Sequence, residues 1–246
     1  MIVSQQTGVQ VDEVAAGIYR ICTPSDVIPG GFTFNSYLID DEEPLLFHTG
    51  WRRMFESTVE AVNKVLPVEK LRWVGGSHFE GDEFGAMNDI LAVAPEATPF
   101  SSEIGVLTSV ADFASRPARG LGDGEELSIG GRALQWIYTP HVPHGWDCGV
   151  LYDPSTETLL CGDLFTQPGG DPPPVTESEI LTASEGMRGM MDYYAHATQT
   201  TPILERLADL NPSLLACQHG SAYRGDGAAL LRELATSIEG KAVDAG

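Results

Sequence analysis

The segment SHFEGDEFGA, residues 77–86, carries one histidine and three carboxylates within six positions. His78, Glu80 and Asp82 occupy alternate positions, and Glu83 follows directly. Proteins bind metal ions with nitrogen and oxygen donors that converge on one point. A solvated acidic loop would have the same composition, so the segment alone leaves both interpretations open.

The segment begins where a predicted strand ends. KLRWVGGSH is typical of a strand, and DEFGAMNDILAVAP predicts a short helix that ends before Pro95. Other donor residues also fall at predicted strand ends or in the loops that follow, namely His48, His144, Asp163 and His219. Because loops held by a rigid sheet commonly carry chemistry, this shared placement favours a metal site over a surface loop.

Two β-rich halves bordered by helical segments make up the chain. The first half has predicted strands in GIYRIC, TFNSYLID and PLLFHTG, followed by helical periodicity over residues 52–66. In the second half, strands are predicted on both sides of the Gly130-Gly131 turn and in CGVLYD and TLLCGD. A helical stretch runs from about Glu179 to Leu210, with a predicted break near Pro202.

This order of elements predicts one α/β domain over residues 1–246, with two sheets packed face to face and helices outside. The proline-rich residues 167–178 predict a loop, either one that covers the active site or an ordinary surface loop. Residues 241–246 are expected to form a flexible tail.

The composition excludes several classes of function. The formal net charge of −21 makes electrostatic binding to nucleic acid or to an anionic membrane unfavourable. No apolar run is long enough to span a membrane, and the N-terminus lacks a signal-peptide pattern, so a cytoplasmic location is expected. The four cysteines are scattered, which argues against a disulfide framework, a zinc ribbon or a rubredoxin-type iron site.

The number of donors favours two metal ions over one. Six side chains are available, which is too many for a single four-coordinate ion: His78, Glu80, Asp82, His144, Asp163 and His219. A carboxylate such as Asp163 can bridge two ions and hold them about 3.5–4 Å apart. Histidine-rich sites suit zinc, whereas carboxylates favour harder ions such as iron or manganese.

These motifs together resemble the metallo-β-lactamase superfamily. Its hydrolases usually carry H-x-H-x-D-H, and Glu80 stands here in the place of the second histidine. That exchange is similar to the flavo-diiron proteins and their oxygen-binding relatives, as are FTFNSYLI, HGWD, YYAH and ACQHG. The resemblance covers nearly the whole chain. It implies a four-layer αββα sandwich with two mixed β-sheets face to face.

The resemblance also implies a ligand set for two iron ions, with zinc or manganese as alternatives. His78, Glu80 and His144 would hold one ion, Asp82 and His219 the other, and Asp163 would bridge them. His144 is preferred over His141 because the interval of nineteen residues from 144 to Asp163 fits the family. His141 remains an alternative ligand or an outer hydrogen-bond donor.

Glu83 is where the sequence departs from the resemblance, since the family pattern has a histidine there. Three roles stay open for Glu83: a ligand of the second metal, an acceptor for a metal-bound water, or a solvent-exposed side chain. His48 is expected to orient a ligand from outside the metal shell or to be an ordinary buried histidine. Tyr194 matches a family tyrosine that donates a hydrogen bond near the metals, although simple packing is an equal alternative.

Two functions follow as hypotheses. The first is a non-haem di-iron protein, an oxidoreductase or sensor, that binds or reduces dioxygen or nitric oxide. No flavin site is expected in this chain, so electrons would come from a separate flavin or rubredoxin-type protein, and a homodimer is implied by the resemblance. The second is a dinuclear metal-dependent hydrolase that cleaves an ester, a lactone or a phosphodiester.

Overall fold

The structure is a computed structural model that describes residues 2–3 and 8–244. Its first sheet has eight strands that lie side by side in chain order. They are β1 (Ile2–Val3), β2 (Gln10–Ala15), β3 (Ile18–Ser25), β4 (Phe32–Ile39), β5 (Leu45–Phe47), β6 (Trp73–Gly75), β7 (Thr98–Ser102) and β8 (Arg119–Leu121). Neighbouring strands are antiparallel from β1 to β5 and parallel from β5 to β8.

The second sheet has seven strands. They are β9 (Glu126–Ser128), β10 (Ala133–Tyr138), β11 (Gly149–Asp153), β12 (Thr158–Leu160), β13 (Val175–Thr176), β14 (Leu214–Ala216) and β15 (Ala222–Arg224). Their order across the sheet is β13-β15-β14-β12-β11-β10-β9. The β12/β14 and β13/β15 pairs are parallel and the other pairs are antiparallel, so both sheets are mixed.

Helices cover the outer faces of both sheets. They are α1 (Phe55–Val62), α2 (Gly81–Phe84), α3 (Met87–Val93), α4 (Glu103–Gly105), α5 (Ala111–Phe113), α6 (Leu181–Met191), α7 (Thr200–Ala208) and α8 (Gly227–Asp244). Short 3₁₀ turns lie at Arg52–Met54 and Val68–Lys70, and a π-helical turn at Val106–Val110 joins α4 to α5. Among the described helices, none is long and apolar enough to cross a membrane.

Three apolar layers separate the four structural layers. Between the sheets, Phe47 and Phe100 belong to the same cluster as Trp136 and Leu151. Outside the first sheet, apolar strand residues pack against α1 and α3, and outside the second sheet they pack against α7 and α8. β5 and β14 are buried along their whole length, and their sequences are therefore apolar runs rather than alternating patterns. The predicted αββα sandwich with two mixed sheets is confirmed.

One boundary differs from the sequence predictions. The helical stretch after residue 179 is interrupted between α6 and α7, where Asp192 adopts a left-handed conformation with a φ of 48°, and not near Pro202. Pro202 lies in the first turn of α7, where its missing N–H is not needed. α8 extends to Asp244, and residues 245–246 lie outside the described part of the chain, so the flexible tail over residues 241–246 stays a prediction.

The ligand-bearing loops follow the C-terminal ends of parallel strands. The loop after β6 carries residues 77–86, and Asp163 and His219 come three residues after β12 and β14. Because β12 and β14 are parallel neighbours, their C-terminal ends lie at the same edge of the second sheet. The backbone N–H of Gly149 in β11 donates to the carbonyl of Ser77, which ties that loop to the second sheet.

Candidate metal centre

Four of the predicted ligands form a first donor group. His78, Glu80, His144 and Asp163 each contribute one nitrogen or oxygen atom, and these atoms all lie within 4.8 Å of one another. Glu80 Oε2 is 2.8 Å from His78 Nε2 and 3.2 Å from His144 Nε2. His144 Nε2 is also 3.4 Å from Asp163 Oδ2. Two imidazoles and two carboxylates therefore converge on one point.

A second donor group shares Asp163 with the first. It contains Asp82, Asp163 and His219. His219 Nε2 lies 3.1 Å from Asp163 Oδ1 and 3.4 Å from Asp82 Oδ2. Asp163 thus directs Oδ2 to the first group and Oδ1 to the second. A buried carboxylate between two sets of nitrogen and oxygen donors fits a pair of metal ions that it bridges.

The backbone of β4 fixes the orientation of His219. His219 Nδ1 donates to the carbonyl oxygen of Thr33 over 2.8 Å, so Nε2 is directed to the two aspartates. The Phe32 ring stacks on the imidazole at a centroid distance of 4.5 Å, and Phe34 meets it edge-on at 5.2 Å. Gln218 donates to Asp82 Oδ2 over 3.1 Å. These contacts hold the second group in place from outside, as partners of metal ligands commonly do.

Glu83 belongs to neither donor group. Its side chain is fully buried, and its carboxylate lies beside Ser77 and the Nδ1 side of His78. Glu83 is therefore not placed as a ligand of the second metal. Its burial also excludes the solvent-exposed role. The pKa of the carboxyl is lowered: burial opposes ionisation, and the nearby His78 outweighs it.

The residues predicted to lie just outside the metal ligands differ in where the structure places them. His48 is buried 3.5 Å from Glu83 Oε2, and burial lowers its pKa, so its imidazole is neutral beside the donor groups. His141 is exposed in the turn before His144 and joins neither group. Tyr194 packs into the core outside the second sheet, whereas its neighbour Tyr193 lines the site.

A largely apolar cavity of about 500 Å³ opens beside both donor groups. Its walls are formed by Val27, Ile28, Phe32, Phe34, Trp51, Met191 and Tyr193, and its floor by Glu80, Asp82, His144, Asp163 and His219. Trp51 belongs to the lining of this cavity, while Phe79 and Trp146 do not. Thr166 also lines the cavity, but residues 167–178 do not.

Charges within the groups are strongly coupled. Hydrogen bonds with His144 and His78 lower the pKa of Glu80 to about 2. For His219, burial opposes the charged form, but its hydrogen bonds to the two aspartates raise its pKa to about 10. The pKa of Asp163 is held below its usual range, because His219 outweighs the effect of burial. Without metal, His219 is thus a charged imidazolium at pH 7, and Glu80 is an ionised carboxylate.

Metal binding is expected to release protons at pH 7. His219 holds a proton there, since its pKa is raised to about 10, and a histidine must lose that proton to bind a metal. We expect about one to three protons to be released for each pair of ions, and binding to weaken as the pH falls. Calorimetric titration in two buffers of different ionisation enthalpy measures this number. Equal heats in both buffers would contradict the protonation state described above.

Comparison with known proteins identifies the family of the chain. The family described as ODP family beta lactamase matches residues 32–220, which include all the donors of both groups. This chain belongs to that family. Its curated relatives include the rubredoxin-oxygen oxidoreductase of Megalodesulfovibrio gigas, 26% identical over 206 residues. Putative diflavin flavoprotein A 6 of Nostoc sp. is 30% identical over 200 residues.

The chain spans only part of these relatives. The aligned regions cover 80% and 79% of this ODP family chain but 50% and 35% of the two relatives. Among solved structures, a fragment of diflavin flavoprotein A 5 from Nostoc sp. has a TM-score of 0.83 at 21% identity and covers 96% of this chain and 97% of that one. The Desulfovibrio gigas rubredoxin oxygen:oxidoreductase has a TM-score of 0.80 at 21% identity, with 94% and 62% coverage. These structures share the fold.

Sequence reasoning missed several supporting residues. Thr33 acts through its backbone carbonyl, which leaves no trace in the side-chain pattern. Ser77 and Gln218 stand directly before His78 and His219, and this adjacency is the signal that would have indicated them. Tyr193 was overlooked in favour of Tyr194, because two consecutive tyrosines after a helix do not show which one faces the cavity.

Proposed function

We propose that this ODP family protein binds two iron ions and uses them to bind or reduce dioxygen, with nitric oxide as an alternative ligand. The observation that carries the proposal is Asp163, which directs one carboxylate oxygen to each of two donor groups. Each group adds a carboxylate of its own, Glu80 in the first and Asp82 in the second. Three carboxylates and three histidines suit a pair of hard redox-active ions better than a pair of zinc ions.

A ferrous pair, when bound, supplies electrons and open positions for a diatomic ligand. The residues of the chain prepare the place for that ligand. Phe32, Phe34 and Trp51 form an apolar wall beside the donors, which favours an uncharged diatomic over water. Burial raises the pKa of Tyr193 to about 12, so its phenol keeps its proton and can donate a hydrogen bond into the cavity.

We assign the electron supply to a separate protein. The similar proteins are named for rubredoxin and for flavins, and each is longer than the matched region. A flavin or rubredoxin-type donor is therefore the class of partner proposed, and a sensor that binds the diatomic without turnover uses the same site. A homodimer and a cytoplasmic location stay predictions. Hydrolysis is not favoured, because Glu80 replaces an imidazole and makes the metal a weaker Lewis acid.

The proposal is tested with protein loaded anaerobically with ferrous iron. The optical spectrum is recorded while oxygen is admitted to the reduced protein, and oxygen consumption is followed with an electrode. We expect two irons per chain and a new charge-transfer band that forms with oxygen. Two tightly held zinc ions, no spectral change and rapid cleavage of an ester or phosphodiester would contradict the proposal and favour a hydrolase.

The residue at position 80 is expected to control the choice of metal. Glu80→His gives the first group a third imidazole and removes one carboxylate, and this should raise the preference for zinc over ferrous iron at that group by about tenfold or more. Competition between the two ions, followed by elemental analysis, measures the ratio. Glu177→His, an equal change at an exposed loop position, serves as the matched control and should leave the ratio unchanged.

A further inference from the structure

We propose that Glu83 makes the two metal positions unequal. Its carboxylate orients His78, a ligand of the first position, and does not bind the second metal, so the second position keeps only three protein donors. The inference rests on the proposed dinuclear centre and assigns a role to a residue that is a member of neither donor group. In this role Glu83 is a positioning residue. The first position is then the tighter one, and the loss of the Glu83 charge weakens it selectively.

The Glu83 carboxylate contacts His78 on the Nδ1 side of the ring, and His48 Nε2 lies 3.5 Å from its Oε2. Ser77 Oγ donates to Glu83 Oε1 over 2.5 Å, and the backbone N–H of His78 donates to Oε2 over 2.8 Å. His78 Nδ1 is 2.9 Å from Oε1, while His78 Nε2 faces Glu80 at 2.8 Å. The imidazole is thus held between two carboxylates, one behind it and one within the first donor group. A carboxylate behind a metal-binding histidine fixes the ring and makes its free nitrogen a better donor.

The pocket around the Glu83 carboxylate is shaped for it. A Cβ atom on Gly76 would lie 2.7 Å from Glu83 Oε2 and 2.6 Å from the Phe84 ring, so glycine is required there to admit the side chain. The carbonyl of Glu83 accepts hydrogen bonds from the backbone N–H and the hydroxyl of Thr49. Both ends of the residue are therefore anchored. A turn of Glu83 into the second group would break its contacts with Ser77 and His78.

The direction of α2 explains why neighbouring acids serve different positions. Asp82 and Glu83 are successive residues in its first turn, and successive side chains on a helix diverge by about 100°. The Asp82 carboxylate lies 3.4 Å from His219 Nε2 in the second group, and the Glu83 carboxylate lies 2.9 Å from His78 Nδ1. The result is four donors in the first group against three in the second. The histidine of the first group has a carboxylate behind it, whereas His219 has only the neutral carbonyl of Thr33. With more donors and this carboxylate partner, the first position should bind metal about tenfold or more tightly than the second.

The test is a cobalt titration followed by the visible absorption of bound Co²⁺. The wild-type protein should take up two equivalents in two separable steps. Asp82→Asn weakens the step that belongs to the second position, and His144→Ala weakens the step of the first, so the two variants assign the steps. Glu83→Gln, which keeps the shape and removes the charge, should weaken the His144 step by about 10- to 100-fold and leave the Asp82 step unchanged.

The outcomes separate the inference from the proposal on which it rests. Weakening of the Asp82 step by Glu83→Gln would show that Glu83 is a ligand of the second metal and would overturn the inference. Two equal steps in the wild-type protein would also overturn it. Uptake of fewer than two equivalents by the wild-type protein would instead contradict the dinuclear centre itself.

Ser77→Ala keeps the test decisive if Glu83→Gln does not fold. This variant removes one hydrogen bond to Glu83 and leaves the carboxylate in place. It should weaken the first step by a smaller factor and leave the second unchanged. An effect confined to the second step would overturn the inference, and so would a complete absence of effect on the first.

Discussion

Replacement of Asp163 by asparagine is expected to weaken metal binding at both positions by at least about 100-fold, because the loss of residues that merely support a ligand already costs 10- to 100-fold. The carboxylate has one oxygen in each donor group, and an asparagine can offer only one oxygen. Elemental analysis after dialysis against a weak chelator measures the loss. The two ions should be lost together.

Asp192→Asn is the matched control for this variant. Asp192 is exposed, pairs with His196 and lies at the left-handed end of α6, a position that asparagine tolerates well. Its metal content should equal that of the wild-type protein. Retention of one tightly bound ion by Asp163→Asn would show that the aspartate serves a single position and would contradict the bridging arrangement.

Replacement of Gly85 by alanine is expected to cost about 3 kcal/mol of stability, through overlap of the new methyl group with fixed backbone. The added Cβ would overlap the carbonyl oxygen of Gly81 and would lie 2.9 Å from the backbone nitrogen of Arg52 and 3.1 Å from the carbonyl oxygen of Gly50. All three atoms belong to the backbone, one in α2 and two in the loop after β5. The strain can therefore be relieved only if residues 77–86 move away from that loop. Thermal unfolding should show a midpoint lowered by about 6–12 °C.

Gly186→Ala provides the control for a glycine with open surroundings. Gly186 lies on the exposed side of α6, and a Cβ there would meet nothing within 4 Å. The same substitution should leave stability unchanged or raise it by up to about 1 kcal/mol, because alanine is the better helix former. A Gly85→Ala protein as stable as the wild type would show that the contact between residues 81–85 and 50–52 is looser than described.

The main strands were predictable because their physical signals are local. β3, β4, β5, β6, β11 and β12 appear as apolar or alternating runs bounded by turn residues, and the αββα fold was implied by a resemblance spread over the whole chain. Two strands of the first sheet could not be predicted from sequence. β7 is the sequence TPFSS and contains a proline, while β8 is only RGL, so neither has a strand pattern. Both exist because parallel neighbours pair with them, which local sequence cannot show.

The donor residues were predictable from type and position, but the direction of each side chain was not. Glu83 follows Asp82 in an acidic run, and nothing in that run indicates that its carboxylate turns back under His78. That outcome depends on the space that Gly76 leaves and on the Ser77 hydroxyl. In the same way, Tyr193 rather than Tyr194 lines the cavity because of the conformation of the chain after α6.

We expect two iron ions to share Asp163, and anomalous diffraction from crystals of the iron-loaded protein would locate them. Data collected on both sides of the iron absorption edge locate iron and distinguish it from zinc. The account predicts two iron peaks about 3.5–4 Å apart, one in each donor group, with an Asp163 oxygen beside each. A single peak, or two peaks that do not share Asp163, would contradict it.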